Sequence, residues 1–490
     1  YYNPQKVPPV VNHGTPEFPD YAATRYYSSD FTEKRMVSYF GRLGYNYKQR
    51  YLLEFTFRRD GSSTFGEGNR WANFPSVAVG WSFSEEPFIK RLTGGWLNWG
   101  KIRGSYGKSG QTFTSAYLAH GLMNIMDKSF FGKTGITTDK PVSPYLTWEK
   151  TRQYDLGLDM DMFNYRLNVK LDYYYKYTSS LIYDIPIPGS LYAFGAQVEN
   201  AMEISNEGLE LELQADILRE SAVSWRMKFN MARNWNRFEK SYSGKDVVDG
   251  DGTLLVVGRP LNGLYVWAHR GYYNSDAEVP RLYKIDGQEI YFNGVATNGI
   301  SGAVGDYRLL DLDGDGNPDS YYAGSPLPLA HGGWVNELMW KNFDLNVLVN
   351  FTIGRKMINN RMGLGFSRQS EDGHLTKLFD YRKLRPWDGV NKKPNAPAWG
   401  NSLSMNTDSA IEKVHHLALK QITLGYNLPD RISKKAGLSG VRFFLTAENL
   451  FYLSNYSGGN PEVVNIYTGR DNGDTYPLPR KYTLGLTLNF

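Results

Sequence analysis

The sequence predicts an all-β protein, an antiparallel β-barrel that crosses a membrane. Three observations support this: period-two alternation of apolar and polar residues, connections that alternate between short and long, and a chain end that is itself such a strand. In the last ten residues, KYTLGLTLNF, the apolar positions are Tyr482, Leu484, Leu486, Leu488 and Phe490. One face of this strand is therefore apolar and the other polar. A barrel strand between lipid and lumen has this pattern, and the last strand of a soluble sandwich also fits it.

Composition narrows the class of protein. The 490 residues carry 55 basic and 50 acidic side chains, and the net charge of +5 is too small to indicate nucleic-acid binding. Cysteine is absent, which excludes a disulfide scaffold, zinc–thiolate sites and cysteine catalysis. No run approaches the ~18 apolar residues of a spanning helix, so a membrane would be crossed by strands. The 36 Tyr and 12 Trp suit interfacial girdles and, equally, sugar-binding surfaces.

The predicted strands follow one another along the chain after an irregular start. Residues 1–35 are rich in Pro, Tyr and Ser and are predicted to be loop, and residues 36–490 form the barrel portion. About 14 or 15 strands are expected from the alternation. The clearest are Met36–Tyr47, Tyr51–Asp60, Asn73–Ser84, Trp99–Ser109, Tyr154–Met162, Leu167–Tyr175, Leu209–Ile217, Phe343–Phe351, Val441–Ala447 and Lys481–Phe490. Leu171 is predicted to face lipid and Lys170 the lumen.

The connections between these strands alternate in length. Short ones are predicted at 48–49, 163–165, 218–221 and 341–342, a medium one at 429–440, and long ones at 111–150, 271–330, 356–413 and 453–479. Short periplasmic turns on one side and long outer loops on the other are typical of membrane barrels. By this parity Lys481–Phe490 ends on the periplasmic side. A soluble sandwich explains less, because its strands are usually ~5–6 residues long.

Several stretches carry a family resemblance from about residue 35 to the end. They are SYFGRLGYNYKQRYLLEFTFRRDGSSTFG, FPSVAVGWSFSEEPF, KIRGSYGKSGQ, TRQYDLGLDMDMFNYRLNVKLDYYYK, EISNEGLELEL, QITLGYNLP, AENLF and YPLPRKYTLGLTLNF. In this order they resemble the SusC/RagA family of TonB-dependent outer-membrane transporters of Bacteroidota.

The resemblance implies more than periodicity does. It implies a 22-stranded barrel with an N-terminal plug, a SusD-like lipoprotein as a lid, and import of a glycan or peptide with energy passed on by TonB. It also implies that the barrel-assembly machinery reads the last strand, ending at Phe490. No stretch here resembles the plug or the TonB box. Because an open sheet edge in lipid leaves backbone groups unpaired, we expect the last strand to pair with a strand on the N-terminal side of Tyr1.

One loop contains a candidate calcium site. Oxygen ligands at alternate positions, with Gly316 for a sharp turn, match the start of a calcium loop. The twelfth position is Tyr322, where an EF-hand would have Glu. A metal-free turn is the alternative. The candidate ligands are Asp311, Asp313, Asp315, Asn317 and Asp319.

No catalytic constellation emerges, and the chain is predicted not to be an enzyme. Glu85 and Glu86 are adjacent, so they point apart instead of forming the acid pair of a glycosidase. His415 and His416 are more typical of structural residues than of a metal site. Aromatic residues of the loops, namely Trp387, Trp399 and Tyr456, could stack on sugars or pack among loops. Two alternatives to an energised importer stay open, a passive porin and a soluble sugar-binding β protein.

Overall fold

The computed structural model contains one large antiparallel sheet, which has fourteen strands. It describes residues 32–113, 115–121, 123–130, 133–138, 141–192, 194–219, 221–248, 254–279, 281–283, 289–291, 304–310, 312, 319–360, 385–390, 393–398, 407–473 and 475–490. Within these residues, no helix combines the length and apolar composition that a membrane crossing requires. Thirteen of these strands are long, against about 14 or 15 predicted from alternation, and the fourteenth has two residues.

Thirteen of the strands follow one another in a hydrogen-bonded path, which we call the wall and number β1–β13 in chain order. They are β1 Met36–Tyr47, β2 Tyr51–Ser62, β3 Trp71–Trp81, β4 Leu97–Gln111, β5 Glu149–Met162, β6 Leu167–Pro186, β7 Ala196–Leu218, β8 Val223–Lys240, β9 Ala330–Trp340, β10 Phe343–Asn359, β11 Ile411–Asn427, β12 Gly440–Ser454 and β13 Lys481–Asn489. The fourteenth strand, Arg470–Asp471, pairs in parallel with the end of β10.

Alternation along each wall strand separates an outward face from an inner face. On β6, Leu171 points outward and is 41% exposed, whereas Lys170 points inward toward Glu212. The same parity puts an exposed apolar band on the outward face of every part of the wall. Its members include Leu43, Leu53, Val79, Leu156, Leu209, Trp334, Leu424, Leu445 and Leu484. So large an exposed apolar surface is stable against hydrocarbon and not against water.

Several strands extend farther on the long-loop side than alternation predicted. β6 has 20 residues and β7 has 23, against a prediction that ended at Tyr175 and began at Leu209. The added residues carry polar side chains on the outward face, such as Glu207 and Glu203. The apolar–polar alternation fades there because neither face contacts the hydrocarbon core of the membrane, so the sequence pattern could not show the extension.

The long connections form small sheets of their own beyond the wall. The predicted loop from Gly271 begins earlier, after Lys240, because the intervening strands pair with each other and not with the wall. The pairs are Met123–Phe130 with Lys133–Thr138, Val247–Val248 with Leu254–Leu255, Leu264–Trp267 with Ser320–Gly324, His269–Tyr272 with Tyr307–Leu309, and Arg281–Tyr283 with Glu289–Tyr291. Among the described residues the α-helices are Pro87–Thr93, Gly189–Tyr192 and Asp430–Ser433, and the 3-10 turns are Phe83–Glu85, Asp276–Glu278, Asp408–Ala410, Lys434–Ala436 and Pro461–Val463.

Tight turns and aromatic residues form the opposite end of the wall. At the turn after β5, Phe163, Asn164 and Tyr165 all have positive φ values, of 56°, 57° and 59°. Rings pair across this rim, with centroids 6.2 Å apart for Trp96 and Phe163 and 6.4 Å apart for Tyr47 and Tyr51. An aromatic girdle of this kind is typical of the interface between lipid and water.

The two ends of the wall are open edges. In the described part of the chain, β1 pairs only with β2, and β13 pairs only with β12. Because neighbours are antiparallel and the wall strands number thirteen, β1 and β13 run in the same direction. Antiparallel closure therefore requires an odd number of further strands between them. Phe490 follows β13 and is 94% exposed, and its proposed role in assembly stays a prediction.

Candidate functional site

Ion pairs between neighbouring strands cover the inner face of the wall. On β4, Arg103 donates from Nε to Asp159 at 3.0 Å and from Nη2 to the Asp172 carboxylate on β6 at 2.7 Å. Further pairs are Lys170–Glu212 at 3.5 Å, Lys228–Glu337 at 2.7 Å and Arg442–Asp344 at 2.5 Å. Most of these side chains are partly exposed, so each pair contributes little to stability. Their shared consequence is a charged, hydrated surface that no lipid could cover.

The inner face contains a cavity of about 790 Å³ between β6 and β11. Charged, amide and imidazole side chains line it, including Lys170, Glu212, Lys228, Asn230 and His331. These groups both donate and accept hydrogen bonds. The cavity can therefore exchange hydrogen bonds with a polar solute, with water or with another protein segment.

A segment of the last long connection, residues 455–473, lies over the inner face, and we call it the inner loop. Arg355 on β10 holds it in place and is only 4% exposed. Its guanidinium donates to the carbonyl oxygens of Pro461, Val464 and Asn465 at 3.2, 2.9 and 2.7 Å. A further bond, of 3.1 Å, goes to the Pro326 carbonyl from the preceding long loop. One buried cation thus joins two loops that are far apart in sequence.

Side chains of β11 hold the inner loop from a second direction. Lys420 donates from Nζ to both carboxylate oxygens of Glu462 at 3.3 Å. His416 is 8% exposed, and its Nε2 lies 3.9 Å from the Glu462 carboxylate. Within the loop, the Tyr456 hydroxyl donates to Asp471 at 2.8 Å. The inner loop is therefore fixed to the wall by charge on both sides.

A second unit, the outer loop cluster, is formed by the strand pairs Leu264–Trp267 with Ser320–Gly324 and His269–Tyr272 with Tyr307–Leu309. It has a buried interior that includes Val266 at 1% exposure. Burial raises the pKa of Tyr265 to about 12 and raises the pKa of Tyr272 still further. Removal from water disfavours the phenolate, which is the physical cause.

Asp408 connects the outer loop cluster to the start of β11. Its carboxylate pairs with Nδ1 of His269 and accepts a hydrogen bond of 3.2 Å from the Tyr321 hydroxyl. Ser409 is close by, but its hydroxyl pairs with those of Tyr307 and Thr407 at 3.0 and 2.6 Å. The serine hydroxyl is thus engaged with other hydroxyls, and the network fits loop fixation better than nucleophilic catalysis.

The candidate calcium ligands lie mostly outside the described residues, namely Asp311, Asp313, Asp315 and Asn317. Asp319 is described, and its carboxylate accepts a hydrogen bond of 2.5 Å from the Leu312 backbone N–H. Tyr322 belongs to a loop strand, where Arg259 lies over its ring at 5.0 Å. Elsewhere in the described chain, no group of three or more His, Asp or Glu residues could hold a metal ion. Calcium at this loop stays a prediction.

The other residues singled out in the sequence have separate partners. Glu85 accepts from Lys90 at 2.7 Å, while Glu86 accepts from the Tyr51 hydroxyl at 2.8 Å. The two carboxylates therefore do not form an acid pair. Trp387 donates to Asn274 at 3.1 Å, and Trp399 lies outside the described residues.

Sequence reasoning missed Arg355 and Asp408, which hold the loops. Neither belongs to a local motif, because their partners are 29–110 and 87–139 residues away, respectively. A detectable signal would have been the Gly354–Arg355 pair. Gly354 has a φ of +72° and interrupts the alternation of β10 just before the buried cation.

Comparisons with known proteins agree with the fold. A family model described as TonB dependent receptor-like, beta-barrel, matches residues 1–322. TonB-dependent receptor P26 of Formosa agariphila is 32% identical over 491 residues, which cover 94% of this chain and 47% of the relative. TonB-dependent receptor SusC of Bacteroides thetaiotaomicron is 29% identical, covering 96% and 45%. The chain thus spans about half the length of the curated relatives it matches.

Solved structures share the architecture of the wall. The structure of the RagAB peptide transporter matches with a TM-score of 0.75 at 24% identity, covering 93% of this chain and 48% of that chain. The RagAB peptide importer in its "open-open" state matches with a TM-score of 0.74 at 23% identity. At these identities the likeness concerns the fold.

Proposed function

The chain belongs to the TonB-dependent receptor-like β-barrel family, and from this premise we propose that it is the C-terminal part of an energised importer. It lies in the outer membrane, which it crosses with strands. The proposed role is transport and not catalysis. The solute would be captured between outer loops and lid and would pass along the inner face after rearrangement of a plug. The plug and the TonB contact would belong to a segment N-terminal to this chain.

The contrast between the two faces of the wall carries this proposal. An apolar outward band and a charged inner face require lipid on one side and water on the other. Arg355 and the Lys420–Glu462 pair hold the inner loop in place. The loop covers part of the lumen-facing surface near the long-loop end of the wall. A passive porin needs an unobstructed channel, whereas an importer needs a covered one that opens on demand.

We propose a glycan or a peptide as the solute. The cavity on the inner face has charged and amide groups, such as Glu212 and Asn230, that match the hydroxyl and amide groups of such oligomers. The likeness to a structure named as a peptide transporter concerns the fold at 24% identity, so it does not decide between glycans and peptides, and the name SusC does not decide either.

We propose that a SusD-like surface lipoprotein closes on the outer loops. Large aromatic and apolar side chains are exposed on this side, including Tyr145 at 87%, Tyr476 at 84% and Val390 at 84%. Exposed residues of this kind are typical of protein interfaces. Replacing Tyr145 and Tyr476 by Glu should abolish co-purification of the lipoprotein with the full-length protein. Tyr165→Glu on the opposite rim is the matched control and should leave co-purification unchanged.

Uptake in cells tests the proposed function. Labelled oligosaccharides and labelled peptides are offered to cells that express the full-length protein, with and without a functional TonB system. We expect uptake of either the oligosaccharides or the peptides, and we expect this uptake to be lost without TonB. Uptake that continues without TonB would identify a passive pore instead. Recovery of the protein in the aqueous fraction without detergent would favour a soluble binding protein.

A further inference from the structure

The outward side chains of β7 and β8 mark where the hydrocarbon ends on the outer side. On β7 the outward positions are apolar from Ile217 to Leu209, and the next outward residue is Glu207. On β8 the unbroken run of apolar outward residues ends at Met231, and Arg233 follows. A tilted strand needs ~9–11 residues to cross the membrane, which agrees with this stretch of β7. We call each row of register partners on neighbouring strands a rung. The rungs on the long-loop side of Leu209 therefore lie at the level of lipid headgroups.

An aromatic row occupies the first rung above this limit. Register pairs align Tyr106, Tyr154, Tyr175, Glu207 and Trp235 on five neighbouring strands, β4 to β8. Ring centroids of Tyr106 and Tyr154 are 4.8 Å apart, and those of Tyr154 and Tyr175 are 6.4 Å apart. Rings at this depth are typical of the boundary between acyl chains and headgroups.

A basic row occupies the next rung outward. It consists of Lys108, Arg152 and Arg237, with Tyr177 and Ser205 on the two strands between Arg152 and Arg237. Lys108 and Arg152 are register partners on adjacent strands, and both are exposed. Like charges directly opposite each other destabilise a sheet. An anion between them would remove this repulsion.

The nearest outward carboxylates are already engaged on β7 and β8. Glu207 accepts from the Tyr173 hydroxyl at 3.2 Å, and Glu239 accepts from the Ser205 hydroxyl at 2.5 Å. Glu203 accepts from the Tyr177 hydroxyl. Neither Lys108 nor Arg152 forms an ion pair with a carboxylate in the part of the chain that the structure describes.

We propose that Lys108 and Arg152 bind the phosphate of a lipid headgroup in the outer leaflet, with the aromatic row holding the upper part of its acyl chains. Two observations support a lipid over a free anion. The cations point outward, away from the lumen, and they lie one rung above the aromatic row. Arg237 extends the basic row for a second phosphate on a larger headgroup.

Native mass spectrometry of the full-length protein tests this site. The protein is released from phosphatidylcholine nanodiscs that contain either diphosphoryl lipid A or its dephosphorylated form. The double variant Lys108→Gln/Arg152→Gln is compared with the wild type. Two juxtamembrane cations are expected to contribute about a 30-fold difference in affinity. The double variant should therefore lose most of the bound phosphorylated lipid, while binding of the dephosphorylated form should not change.

A matched control removes two cations from the opposite rim, as Lys48→Gln/Lys341→Gln. It should retain the phosphorylated lipid, because these residues lie on the short-turn side. Equal retention by the wild type and the Lys108/Arg152 variant would overturn the site. Equal loss from both double variants would overturn it as well, since net charge alone would then explain binding. Displacement of the lipid by millimolar inorganic phosphate would identify a free-anion site and contradict the lipid assignment.

Discussion

The wall and the outer loop cluster obey different rules although they belong to one chain. In the wall, each residue's surroundings follow from its parity, so Leu171 faces outward and the adjacent Lys170 faces inward. In the outer loop cluster, burial depends on partners that are distant in sequence, as for His269 and Asp408, which are 139 residues apart. The surroundings of the wall residues are therefore imposed by lipid on one side and water on the other, whereas the loops must form their own core.

We expect the greatest loss of stability from a charge placed on the lipid-facing band of the wall. Leu171→Arg places a charge in the middle of the lipid-facing band and should cost ~2–4 kcal/mol, which lowers the yield of folded barrel in the outer membrane. Lys170→Gln changes the adjacent inner position, where it removes an ion pair worth less than ~1 kcal/mol. The measurement is heat-modifiable mobility of each variant in outer-membrane fractions. Equal yields would contradict the assignment of faces.

The next effect is confined to the loops. Arg355→Met leaves four carbonyl groups without their charged donor and should weaken the attachment of the inner loop by roughly 2–3 kcal/mol. Hydrogen exchange should accelerate in residues 455–473 while the wall strands keep their protection. Arg431→Met, on the exposed short-turn side, is the control and should change neither. Uniform loss of protection in wall and loops would show that the two regions are not independent.

Alkaline pH should destabilise the outer loop cluster before it affects the wall. The unfolded loops release phenolic protons near the ordinary pKa of about 10, whereas the folded cluster holds Tyr265 to a pKa of about 12. The stabilisation is therefore complete below about pH 10 and is lost as the pH rises toward about 12. Limited proteolysis across this range should cut the outer loop cluster first. Tyr265→Phe should shift the onset to higher pH, and an unchanged onset would count against a contribution from this phenol.

The smallest expected effect is that of calcium. If Asp311, Asp313, Asp315, Asn317 and Asp319 bind it as an exposed extracellular loop would, millimolar calcium should stabilise the loop by about 1 kcal/mol. Chelation should then increase hydrogen exchange near residue 320 and leave the wall unchanged. Asp313→Asn with Asp315→Asn should abolish the difference. No response to chelation would leave a metal-free turn, in which Asp319 accepts the hydrogen bond from Leu312.

The same contrast explains how much the sequence could predict. Strand order, facing and the alternation of short and long connections were visible, because lipid and water impose a local period of two. The outer halves of β6 and β7 were not, because they extend beyond the hydrocarbon core, which imposes the alternation only as far as Leu209. The roles of Arg355 and Asp408 could not be predicted from the sequence. They depend on backbone carbonyls and side chains that only the folded wall brings together. The calcium ligands could be proposed from spacing but not located.

We propose that this chain is a sector of a larger barrel, and a structure of the full-length protein in lipid nanodiscs is the sharpest test. In that structure we expect the free edge of Lys481–Asn489 to be hydrogen-bonded to an antiparallel strand outside Tyr1–Phe490, with an odd number of further strands closing the wall. The inner face should then surround a separate plug. Direct pairing of Lys481–Asn489 with Met36–Tyr47, closing a smaller pore without further strands, would contradict it.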